Sequence, residues 1–223
     1  MSNFLFPSNW RQTDDIAKPA IETPLGTVRL KTEIQGSILT ADQATIYTSV
    51  KDARLFGWSS PAARAELMLC KVPYELDVTE CRAAIWRIRA ERQTLTNYVL
   101  TCGIELAGEY DGGPNSGEYL DAQTWSDGIT SLSIGTLDSD AIDSFRRKGE
   151  MIPDRWAKSE LRSITDYVSS GFVLKPPALQ PGEIALFQFI VAWAPEPEGD
   201  FETWCAVYQS PAYILSVVTE PEG

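Results

Sequence analysis

The sequence predicts a mainly β fold, an antiparallel β-sandwich or jelly-roll-like domain with a small helical insert around residues 139–167. Three observations carry this reading. Apolar and polar residues alternate with period two, most cleanly over 97–106. There Tyr98, Leu100, Cys102, Ile104 and Leu106 fall on one face, with Asn97, Val99, Thr101, Gly103 and Glu105 on the other. About ten such segments are joined by hairpin-length connections, as sandwiches and jelly rolls require. Helical patterning does not alternate with the strands, so a parallel α/β sheet is disfavoured.

Residues 1–25 read as an N-terminal arm, punctuated by Pro7, Pro19 and Pro24. Phe4, Phe6 and Trp10 are too apolar for a solvated tail, so the arm is expected to dock, on its own domain or on a neighbouring subunit. A single β-rich domain follows over 26–219. Gly26 to Ile34 alternates, with Val28, Leu30 and Ile34 on one face. Ala44 to Val50, Arg54 to Trp58 and Ala65 to Val72 continue the strand series. Arg82 to Ala90 sets Trp86 and Ile88 opposite Arg87 and Arg89. The short polar stretch 91–96 predicts a hairpin from there to 97–106.

Residues 107–121 predict a long glycine-rich loop, since Gly112 and Gly113 permit positive φ and Pro114 forbids a regular ladder. Ser131 to Ile134 is weakly strand-like. Asp138 or Ser139 is placed to cap a helix ending near Lys148, with Asp140 in the first turn, Arg146 and Arg147 in the last, and Gly149 beyond. A second helix is expected over 154–167, with Trp156, Leu161 and Ile164 on one side. The run Ile184 to Ala194 predicts a long central strand covered on both faces. Thr203 to Tyr208 and Ala212 to Val218 read as the last strands, before an acidic tail at 220–223.

Composition bounds the function. Nineteen Lys and Arg against thirty-one Asp and Glu give a net charge of −12, which disfavours nucleic acid and anionic lipid as partners. The chain has no histidine, which excludes Ser-His-Asp and Cys-His catalysis and His-ligated zinc. An enzyme here would have to use carboxylates, as glycosidases do. The four cysteines, Cys70, Cys81, Cys102 and Cys205, show no CxxC spacing. Met1 to Trp10 lacks the form of a signal peptide, and no stretch approaches 18 apolar residues. The expectation is a cytoplasmically made protein with reduced cysteines and no membrane span.

Several residues are candidates for chemistry. Glu109, Asp111, Asn115, Glu118 and Asp121 offer oxygens for calcium, the one cofactor the sequence leaves open, although the EF-hand pattern is absent. Trp125 beside Asp127 is the best-placed indole for stacking on a sugar. Arg87 and Arg89, about 7 Å apart on one strand face, could hold a phosphate or carboxylate, or pair with acids on the neighbouring strand. Phe4, Phe6 and Trp10 are candidates for a subunit interface.

Three function classes survive. The first is a non-enzymatic structural or assembly protein, a homo-oligomer or a partner of other subunits, as in a virus particle. The second is a glycan-binding module. The third is a carboxylate-based glycoside hydrolase. A sandwich hosts all three, so fold alone does not choose.

Overall fold

The computed structural model describes residues 6, 10–15, 17–49, 52–74, 77–149, 152–196 and 199–219 of the chain. Its order begins with strands β1 (Arg11–Gln12), β2 (Ala20–Thr23), β3 (Gly26–Ile34) and β4 (Ser37–Ile38). After a 3-10 turn come β5 (Thr45–Thr48), β6 (Arg54–Ser59), β7 (Ala63–Lys71), β8 (Glu80–Ala90) and β9 (Tyr98–Leu106). The second half runs β10 (Asp111–Pro114), β11 (Leu120–Ser126), β12 (Thr130–Leu137), helices α1 (Ser139–Arg147) and α2 (Lys158–Leu161), and β13 (Thr165–Val168). It ends with β14 (Gly171–Leu174), β15 (Ile184–Pro195) and helices α3 (Gly199–Val207) and α4 (Pro211–Thr219).

The strands form two antiparallel sheets. The larger has nine strands in the order β1-β5-β6-β7-β8-β15-β12-β11-β10. The smaller follows the path β13-β14-β9-β3-β2, with β4 also on β3. The mainly β, sandwich-like architecture is therefore as the alternation predicts.

The core lies between the sheets. Trp86, Ile88, Phe187, Phe189 and Val191 of the large sheet meet Val28, Leu30, Leu100, Cys102 and Phe172 of the small one. Each fully buried side chain of this size is worth about 1.5–3 kcal/mol. A second cluster covers the opposite face of the large sheet. Leu55, Met68, Ile85, Leu186 and Ile190 are roofed there by Ala206, Val207, Ile214, Leu215 and Val218 of the terminal helices, and by Phe6 of the arm. This explains the unbroken apolar run of β15. It sits between β8 and β12 with both faces covered.

Four expectations need correction. Segments 82–90 and 97–106 are not a hairpin. β8 lies in the large sheet and β9 in the small one, and the connection crosses between them. Buried Leu95 anchors that crossing by exchanging backbone hydrogen bonds with Leu179 (2.8 and 2.9 Å). The two strands share one core and face each other through their apolar sides.

The glycine-rich stretch 107–121 is largely ordered. β10 pairs with β11, Pro114 being tolerated because β10 is an edge strand. The second helix stops at Leu161, because Thr165–Val168 is drawn into a hairpin with β14. Trp156, Leu161 and Ile164 are still buried together.

The last two expected strands are helices. Ala206 and Val207, then Ile214, Leu215 and Val218, recur at helical spacing and face the large sheet. Ser210 and Pro211 are the start signal. Pro is favoured at the first helical position, and the Ser210 hydroxyl accepts from the Tyr213 N–H (3.2 Å).

The first helix forms as read. The Asp138 carboxylate accepts from the Ala141 N–H at 2.7 Å, and Arg146 closes the last turn.

Candidate functional site

The strongest concentration of unusual geometry is the turn 115–120, which enters β11. Its tip is clamped from two sides. On one side the Trp204 indole N–H donates to the Asn115 carbonyl (2.7 Å). Its ring lies so close to Gly117 that a Cβ there would overlap it. Only glycine fits this approach. Tyr208, one helical turn after Trp204, stacks on it with centroids 6.1 Å apart and planes 2° from parallel.

On the other side Tyr167 of β13 reaches across from the small sheet. Its hydroxyl donates to Asp121 Oδ1 (2.6 Å) and contacts the Ser116 hydroxyl. Ser116 also accepts from the Ala122 N–H (3.3 Å). Tyr119, at the tip, is held at φ 65°. That value is uncommon for a non-glycine residue and leaves the ring half in solvent.

The electrostatics follow from half-burial. Desolvation raises the Asp121 carboxyl above the usual range, against the lowering effect of the Tyr167 hydrogen bond, while Asp138 nearby raises it further. The Tyr167 phenol is pushed up as well, first by desolvation and then by its bond to Asp121. Tyr167 therefore stays protonated and Asp121 is its acceptor.

Beneath this rim lies a cavity of about 230 Å³. Its walls are Leu120, Leu137, Ala141, Phe145 and Val207. Tyr119 and Tyr208 stand at its edge, with Ser144, Gln188, Gln209 and Ser210 as polar members. Gln188 is buried at 2 % exposure and donates from Nε2 to the Gln209 carbonyl (2.6 Å).

The residues singled out from sequence are dispersed. Asp111 opens β10 and Asn115 follows its last residue, about 13 Å away at strand rise. Asp121 is turned to Tyr167, and Asn115 Nδ2 donates to Thr124 (3.2 Å). Glu118 is exposed in the turn. Glu109, Asp111 and Asp127 border a shallow cleft with Tyr110. Among the described residues no group of three or more acids or cysteines is placed to hold a metal ion.

Trp125 is 3 % exposed in the main core and offers no stacking face to solvent. Its alternation within β11 puts it inside, a consequence of strand register. Asp127 caps its own turn, accepting from the Ile129 and Thr130 N–H groups (2.9 and 2.7 Å), and these bonds hold its pKa down.

Arg87 and Arg89 lie on the outer face of the large sheet. Arg87 is in register with Glu66, and Arg89 with Arg64. Phe6 stacks over Arg87 (5.0 Å), and its N–H donates to Glu66 (3.2 Å), so this residue of the arm seats on its own chain. Trp10 is half-buried against the same cluster. Phe4 lies outside the described residues.

Sequence reasoning missed Trp204, Tyr208 and Tyr119 as a group. As strand residues Trp204 and Tyr208 would share a face but lie about 13 Å apart, too far to stack. The cue was the i, i+4 spacing of Trp204 and Tyr208 ahead of Ser210-Pro211.

No family model matches the chain, and no curated protein matches it. Among solved structures it is similar to one described as "Putative kojibiose phosphorylase from human microbiome", with a TM-score of 0.50 and 8% identity. The match covers 93% of this chain and 30% of that one. At such identity the likeness is one of fold: this chain corresponds in architecture to under a third of a longer protein.

Proposed function

We propose that this chain is a non-catalytic carbohydrate-recognition domain, with the rim Tyr119, Trp204 and Tyr208 as its binding face. The observation that carries the reading is the parallel Trp204–Tyr208 stack beside the half-exposed Tyr119, next to the hydroxyls and carboxylate of Ser116, Tyr167 and Asp121. Flat aromatic faces cover the apolar C–H surface of a pyranose, and acceptors such as a carboxylate take its hydroxyl protons. Tyr119 and Tyr208 are 40% and 47% exposed, so each leaves part of its ring open to a ligand. The name of the structural neighbour, which refers to a disaccharide, supports the same ligand class.

A catalytic role has less support. Asp138 is engaged as a helix cap and Asp121 as the acceptor of Tyr167, so neither stands ready as an acid–base partner. The test is a glycan array followed by titration calorimetry with kojibiose and other glucosides. Binding that Tyr208→Ala reduces at least tenfold supports the reading. No glycan bound at millimolar concentration removes it.

A second reading, a subunit of a larger assembly, draws on Ile129 and Phe201. These apolar side chains are 75% and 71% exposed. A native mass above one chain would favour it.

A further inference from the structure

We propose that the cavity beneath the rim is a separate ligand site, selective for a single apolar ring that carries one hydrogen-bond donor, the chemistry of a phenol or an indole. The inference is independent of the carbohydrate reading, because it rests on the cavity floor and not on the exposed ring faces.

Size comes first. The cavity holds about 230 Å³, below the roughly 300–1,000 Å³ of pockets for drug-sized molecules. A closed cavity of about 150 Å³ already accepts benzene. The space therefore fits one substituted ring.

The walls set the polarity. Leu120, Leu137, Ala141, Phe145 and Val207 line it, contributed by β11, β12, α1 and α3. A polyhydroxylated ring would lose its water here with few partners in return.

The floor sets the selectivity. Gln188 comes from β15, and its Nε2 is committed to the Gln209 carbonyl, which fixes the amide orientation. The other end, Oε1, is shielded from solvent and has no hydrogen-bond partner. A buried acceptor left unmatched is costly, and a ligand donor would supply the missing bond. Because Oε1 is shielded, contact requires a tilt of the amide about its terminal torsion, which is soft. Tyr119 and Tyr208 stand at the mouth, where they can close over a ring.

The experiment compares p-cresol with toluene, two rings of nearly equal shape that differ in one O–H. Binding to the full chain is followed by amide chemical-shift changes in two-dimensional NMR. The expected result is saturable p-cresol binding, with shifts centred on Ser144, Gln188 and Val207, and at least tenfold weaker toluene binding. Gln188→Leu should abolish the difference between the two ligands. Ala141→Phe, which fills the cavity, should abolish both. Equal affinity for the two ligands in the unaltered protein would overturn the role of Gln188. Absence of saturable binding, or shifts centred elsewhere, would overturn the site. The wild-type comparison decides the question even if a variant fails to fold.

Discussion

Phe6→Ala tests whether the N-terminal arm belongs to its own domain. Phe6 is 1% exposed and sits in the outer cluster with Leu55, Met68 and Ile85. Its ring lies 5.0 Å from the Arg87 guanidinium, and its N–H donates to Glu66, which is itself 0% exposed. Truncating a buried Phe to Ala typically costs about 3–5 kcal/mol. A shielded cation–π contact contributes roughly 0.5–2 kcal/mol of comparable effects.

The arm is a peripheral strap that can relax, so the lower end applies and we expect about 3 kcal/mol. For a chain of this size each kcal/mol lowers Tm by about 2–4 °C, giving a drop near 10 °C. Phe6→Leu keeps most of the burial but loses the π face, and should cost about 1 kcal/mol. The assay is reversible urea denaturation with a thermal scan, alongside native mass measurement. A cost of less than about 1 kcal/mol for Phe6→Ala, or a change in oligomeric mass without loss of monomer stability, would refute docking in cis.

Four further outcomes are expected. In the native protein only Cys205 should react readily with a thiol reagent at pH 8, and all four cysteines after denaturation. Burial pushes Cys70 and Cys81 up to about 12 and Cys102 higher still. Cys205 is raised as well, by desolvation and then by Glu202, but it alone of the four is reachable from solvent; rapid labelling of native Cys102 would contradict its place in β9. Gly117→Val should displace Trp204, lowering stability by about 1–3 kcal/mol and weakening any ligand held by the rim, read by calorimetry.

Asp121 has a raised pKa in the fold, so the folded state binds more protons between the ordinary carboxylate range and that raised value. Stability therefore falls as pH rises through this window. Asp121→Asn should be more stable than wild type near neutrality, with the difference vanishing as pH falls below the ordinary range; an Asn variant destabilised at pH 7 would show that the charge is needed. Ser210→Ala should cost about 0.5–2 kcal/mol through loss of the α4 cap, measured by urea denaturation.

Legibility varied with how local the determining physics is. The alternation of 97–106 and 26–34 needs only strand geometry, and both segments are strands with the expected faces inside. The cap at Asp138 and the cationic last turn of α1 depend on the few residues around them. The terminal helices were misread because β-branched and aromatic residues at 203–218 suggest strands when counted by type. Their period, and the Ser210-Pro211 start, say helix. Trp125 looked exposed from its polar neighbours, but strand register and not neighbour polarity decides which way a residue points.

The chain by itself determined that it folds mainly as β-strands, where most of them lie, that β15 is covered on both faces, and that histidine chemistry is excluded. Period-two patterning, the apolar run and composition are properties of consecutive residues, and so could be read there. Only the tertiary structure decided that β8 and β9 belong to different sheets and that residues 199–219 roof the large sheet. It alone brought Tyr119, Tyr167, Trp204 and Tyr208 around one turn. Those residues span about ninety positions, and no local preference links them. Trp204 and Tyr208 arrive because the outer face of the large sheet must be covered, and Tyr167 because the edge of the small sheet lies beside β11, requirements that exist only once the sheets have formed.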